Sequence, residues 1–317
     1  MTRERAGIGR ITAAVVASAA MLPYLTIKLL WLTGSDIGVN DPSFLDAPVM
    51  VGMNAMTFGM DAIALLLALS FTTRWGMRLP AWLVLIPLWV GTGLLSLILV
   101  TVPLGLLIQG TSIFPEIGPL QQWLYLVVYG GFIGQGAGLI VAFFLYARDR
   151  WPFAPAGGPF AGGFPLLAAR GALALGVPLL CAKVALTFTE DMGLVGGLQY
   201  LLKGLLIPAG AAGLLALVYG RRGWAWLGLG WLGSGVTFGW GLYSLIVTLT
   251  AGPLAGPPMP WPNLVELFAT LTALVIAVVG ASVLTARSGV GDLQAAQHPL
   301  EGVDREEDRQ PAHGGHR

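Results

Sequence analysis

What most constrains this chain is the length of its apolar runs. Eight stretches, roughly 11–32, 48–72, 80–106, 119–146, 166–187, 195–219, 224–250 and 263–286, are mostly apolar. A helix that crosses a bilayer needs about 20 such residues. In hydrocarbon every backbone N–H and C=O must be satisfied inside the segment, so runs of this kind become helices. Composition agrees: 56% of the 317 residues are hydrophobic and only 10% are charged, against about 25% charged in soluble domains. The expected fold is an all-α integral membrane protein with eight transmembrane helices. Basic residues precede the first run, which is too long for a signal-peptide core and reads as an uncleaved span.

Several function classes fall away at once. A net charge of +1 leaves no basic footprint for nucleic acid. A lone cysteine, Cys181, excludes an internal disulfide, a cysteine metal cluster and a dithiol redox pair. The three histidines, His298, His313 and His316, all follow the last span. No P-loop, nucleophile elbow or H-E-x-x-H motif occurs. Neither metal nor other cofactor is expected.

Arginine fixes the expected orientation. Arg3, Arg5, Arg10, Arg74, Arg78, Arg148, Arg150, Arg170, Arg221, Arg222 and Arg287 fall at the termini or in alternate loops, and Arg305, Arg309 and Arg317 in the tail. The other four loops (33–47, 107–118, 188–194 and 251–262) contain neither Lys nor Arg. Basic loops stay cytoplasmic, so both termini are expected inside a cell membrane. The stretch 151–165 is rich in Gly and Pro and reads as a linker. The polar tail 288–317 reads as disordered.

An internal repeat decides the architecture expected around these spans. "LPYLTIKLLWLTGSDIG" (22–38) aligns without a gap on "VPLLCAKVALTFTEDMG" (177–193), matching Pro23 to Pro178, Lys28 to Lys183, Asp36 to Asp191 and Gly38 to Gly193. "LWVGTG" (88–93) resembles "GWLGSG" (230–235), and the Ala-Arg pair of 144–150 resembles that of 282–289. The chain thus reads as a first four-helix repeat (1–150), the linker, and a second repeat (166–287). An even number of spans per copy gives a parallel 4+4 arrangement about an axis along the membrane normal.

Once the arginines are set aside, the charges within spans are few. Lys28, Lys183 and Lys203 lie in the outer halves of their helices, Asp61 near mid-span and Glu266 near an outer start. An ionised group at the bilayer centre costs about 2.5–3.5 kcal/mol on insertion scales and usually faces a partner inside the bundle. Lys28 and Lys183 are open to two readings: snorkelling to the outer interface, or pairing with Asp36 and Asp191 beyond the helix end. Repetition of both lysines favours a shared structural role at the outer ends of their helices. That moves the functional weight to Asp61 and Lys203, which have no counterpart and can pair with each other. Asn54, Thr57 and Asp61 share a helical face by their spacing. With Gln135, Gln199, Lys203, Ser234 and Thr237 they are expected to line one polar pocket opening outward. Trp89 and Tyr129 lie within spans and can line a cavity.

Three classes of function are compatible with this pattern. Buried carboxylates with aromatic neighbours suit protonation and cyclisation of an isoprenoid. In helix number, in Asp61 and Glu266, and in Trp89 and Tyr129, the chain resembles the bacterial integral-membrane terpene cyclases of prenylated natural-product biosynthesis, though it carries no signature motif. The resemblance implies that Asp61 is the proton donor, that Glu266, Asp36 or Asp191 assist, and that the bilayer delivers a lipophilic small-molecule substrate. Asn54, Lys203, Gln135, Trp89 and Tyr129 would then line the substrate site. This cyclase is the best specific reading; the alternative is a secondary transporter, which a 4+4 repeat with a charged pocket at the interface suits, although the cytoplasmic half offers almost no polar groups for a second gate. A non-catalytic membrane subunit is the third class.

Overall fold

A computed structural model describes residues 7–151, 163–189, 192–221, 223–250 and 260–307. Eight of its helices are long and apolar enough to cross a membrane. They are α1 (Ile8–Leu32), α2 (Pro48–Thr72), α3 (Ala81–Gln109), α4 (Gln122–Arg150), α5 (Gly163–Thr189), α6 (Gly193–Val218), α7 (Trp224–Thr250) and α8 (Pro260–Glu307). Prolines stand inside α1, α3, α5 and α6, a residue that spanning helices tolerate because neighbouring groups re-satisfy the freed carbonyls. Residues 152–162 of the expected linker lie outside the described residues, as does Asp191, and its last three residues already belong to α5. α8 continues as helix to Glu307, beyond residue 288 where the sequence suggests a disordered tail.

The helices make two bundles that meet along one seam. α1 packs against α4 and α2, and α3 joins this group through α4 while making its larger contact with α7; α5 to α8 form a second ring of neighbours. Each group has its own apolar core. Ala14, Ala17, Phe71, Leu88 and Tyr146 fill the first, and Ala169, Ala211, Leu214, Ile276 and Val283 the second. The main bridge between the groups is α3 against α7. Lipid gives little apolar driving force for association, so close backbone approach through small residues matters. A Cβ added at Gly93 would lie 2.2 Å from the Gly235 carbonyl oxygen, and one at Gly235 would lie 2.7 Å from the Trp89 carbonyl oxygen. Two hydrogen bonds flank this contact: Trp89 Nε1 donates to Ser234 Oγ at 3.0 Å, and Trp231 Nε1 donates to Thr92 Oγ1 at 3.0 Å.

The two ends of the bundle differ chemically. At the arginine-rich end, side chains cap exposed carbonyls and pair across helices. Arg10 meets Asp149 at 3.0 Å, Arg287 donates to Leu217 O at 2.6 Å, and Arg150 donates to Leu79 O and to the Tyr146 hydroxyl. At the opposite end, loops tie to one another through backbone. Asn40 N donates to Pro119 O at 2.7 Å and Gln121 N to Gly38 O at 2.8 Å.

The α3–α7 seam gives a direct test. Gly93→Ala is expected to lower the melting temperature in detergent, since forcing a methyl into a filled site costs about 1–3 kcal/mol. Gly91→Ala, two residues away with nothing within 4 Å of the added carbon, is expected to leave it unchanged or slightly raised. Equal behaviour of the two variants would contradict the seam.

Candidate functional site

Among the described residues, three lysines and two carboxylates are buried within the spans away from the arginine-rich end, and the fold sorts them into two clusters. In the first bundle Lys28 of α1 faces Asp61 of α2, with Nζ and Oδ2 3.6 Å apart. Gln135 of α4 donates its Nε2 to Asp61 Oδ1 at 3.4 Å. The Lys28 ammonium stands 4.2 Å from the ring centre of Tyr24, one helical turn earlier, where the negative face of an aromatic ring attracts a cation. The pair is loosely closed, because neither Lys28 Nζ nor Asp61 Oδ2 makes a hydrogen bond.

The second cluster is tighter and unequal in charge. Glu266 of α8 accepts from Lys183 of α5 at 2.7 Å and from Lys203 of α6 at 3.2 Å, both on the same oxygen, Oε1. The Tyr200 ring lies under both ammonium groups, 4.7 Å from Lys183 and 4.3 Å from Lys203. Trp240 of α7 adds a further face 5.9 Å from Lys203. By the 1.5 Å rise of a helix, Lys203 lies about 15 Å along α6 from its first residue.

Between the clusters runs an aromatic band. Tyr24 packs edge-on against Phe132, Phe132 against Tyr129, and Tyr129 stacks on Phe114. Trp240 joins the same apolar group and meets Tyr243 edge-on. Most of these rings are half-buried. Gln199 reaches across from α6 to Thr101 of α3 at 3.2 Å.

This geometry corrects the pairing expected from sequence. Lys28 and Lys183 do not snorkel: both are 0% exposed and cross-link helices inside the bundle. Lys28 pairs with Asp61 rather than Asp36, which is exposed on the loop after α1. Lys203 pairs with Glu266 rather than Asp61. The physical reason is depth, since a lysine closed in by neighbouring helices reaches a carboxylate at its own level more cheaply than it reaches the interface. Asn54 and Gln135 are buried, and Gln135 belongs to the first cluster. Trp89 instead serves the α3–α7 seam, and stacks on Phe238. Tyr24 and Tyr200, which the sequence did not single out, supply the aromatic faces. Their signal was available in principle, for each stands three or four residues from a lysine on one helical face.

Among the described residues, no group of three or more His, Cys, Asp or Glu side chains could hold a metal ion.

The unequal second cluster has a consequence for stability. Removing one partner of a buried pair leaves an uncompensated charge and costs about 3–5 kcal/mol. Glu266→Gln, which strands two lysines, is expected to lower the melting temperature sharply. Lys203→Met leaves a one-to-one Lys183–Glu266 pair and is expected to change it little. Thermal unfolding in detergent reads both, and equal losses would contradict this assignment.

Compared with protein-family models, curated proteins and solved structures, the chain matches none of them.

Proposed function

We propose that the protein is a secondary carrier of the cell membrane, built as a parallel duplication of four spans with both termini cytoplasmic. The observation that carries the reading is the two buried lysine–carboxylate clusters, one in each half, bridging helix to helix. Ionisable groups inside a bundle characteristically mark solute and ion pathways, and here each half holds its own cluster of them. The half-buried aromatic rings that start beside Lys28 at Tyr24 and end beside Lys203 at Trp240 would line such a pathway.

Support for the duplication comes from positions aligned in the sequence. Pro23 and Pro178 both lie inside their helices. Lys28 and Lys183 are both fully buried and both meet a carboxylate. Gly38 and Gly193 both have positive φ, 74° and 63°. The two seam hydrogen bonds exchange under the same alignment: Trp89 corresponds to Trp231 and Thr92 to Ser234, so each tryptophan donates to the other half's hydroxyl. A reciprocal contact of this kind is what a two-fold axis generates.

The cyclase reading draws less support. It needs a carboxyl free to protonate an alkene, whereas Asp61 and Glu266 are each engaged by lysine.

Two measurements test the proposal. Reporters fused at residue 112 and at residue 157 are expected outside and inside the cell, respectively; the reverse, or the same side for both, would overturn the orientation. Proteoliposomes are expected to take up at least one radiolabelled solute from a panel of monocarboxylates, amino acids and organic cations. Uptake is expected to fall to the protein-free level with Lys183→Met; no uptake of any member would overturn the carrier reading.

A further inference from the structure

The second cluster carries an unbalanced charge whose chemistry names a ligand. Lys183 and Lys203 contribute two ammonium groups and Glu266 one carboxylate, a formal sum of +1 within the membrane-spanning region. No other carboxylate among the described residues forms an ion pair with either lysine. The first cluster, with one lysine and one carboxylate, is formally neutral. The surplus is therefore particular to the second half, where α6 adds Lys203 to the pair formed by Lys183.

We infer that Lys183, Lys203 and Glu266 form a binding site for an organic monocarboxylate, with Lys203 as its principal contact. The inference builds on the carrier reading and names its solute. A buried charge is stable when paired and hydrogen-bonded. One added carboxylate brings the cluster to neutrality, whereas a dianion such as phosphate overshoots it. The donors are present, because each ammonium carries three N–H groups and each makes one hydrogen bond to Glu266 Oε1. Glu266 itself shows that the two lysines can share one carboxylate oxygen. Lys203 is the more approachable, its side chain 9% exposed against 1% for Lys183. It also lies 4.3 Å from the Tyr200 ring centre and 5.9 Å from that of Trp240, rings that can offer apolar contact to the carbon part of the acid.

Such an acid can arrive from water or from the bilayer, and two probes separate the routes. Carbon-14 butyrate represents a soluble acid and carbon-14 decanoate a membrane-partitioning one, each measured by scintillation proximity on the full chain in nanodiscs. At least one is expected to bind saturably at one site per chain, above protein-free nanodiscs. If butyrate alone binds, the soluble route is the one used; if decanoate alone binds, the bilayer supplies the ligand. Lys203→Met is expected to weaken binding about tenfold or more, the loss of one charged hydrogen bond, and Lys203→Arg to retain it. Butyramide and decanamide, of the same shape without the charge, are expected not to compete. Lack of saturable binding by either acid, or competition by the amides equal to that of the acids, would overturn the inference. So would equal binding by Lys203→Met. Binding without uptake would refute the carrier reading and leave the site standing; uptake of another solute without carboxylate binding would do the reverse.

Discussion

A lysine ammonium inside a membrane bundle cannot be left alone, and much of this structure follows from that. Each of the three buried lysines has to meet a carboxylate at its own depth. Lys28 brings α1 to α2, and Lys183 and Lys203 bring α5 and α6 to α8. Apolar helices in lipid have little reason to choose one neighbour over another, since hydrocarbon surrounds them on every side. Charge supplies the choice. Gln135 and the ring of Tyr24 extend the first pairing to α4 and along α1; Tyr200 and Trp240 extend the second to α7.

Small residues and tryptophans then set how the two groups meet. Gly93 and Gly235 admit backbone contact, and the bonds of Trp89 and Trp231 fix its register from both sides. Division of labour results. Ion pairs organise each half, the glycine seam joins the halves, and the aromatic band occupies the space between the charge clusters. The halves also differ: one has a loosely closed neutral pair, the other a tight cluster with an extra cation.

Most of the architecture was legible in the sequence, because length and apolarity of a spanning run are local properties. All eight helices overlap the stretches read from residues alone, and the Lys28–Lys183 correspondence pointed to two residues that are buried alike. Pairing was not legible, because it depends on which helix faces which and on depth, neither of which is a property of one segment. Asp36 and Asp191 attracted attention by lying near the lysines in sequence, while Asp61 and Glu266, more than thirty and eighty residues away, are the partners in space. Counting charges by half would have narrowed the choice, since each half has only one carboxylate inside the apolar runs read from sequence, Asp61 and Glu266. The role of Tyr24 and Tyr200 was hidden for a simpler reason: an aromatic within a span is more often packing than a cation's neighbour.

The most direct test of the account exchanges the charges of the first pair. Lys28→Asp and Asp61→Lys each place two like charges together inside the bundle, and the double variant restores opposite charges in reversed order. Monodisperse, folded protein recovered after detergent extraction is the measurement. The account expects severe loss in each single variant and substantial recovery in the double. Single variants that fold normally, or a double no better than either single, would contradict the claim that buried ion pairs choose the neighbours in this bundle.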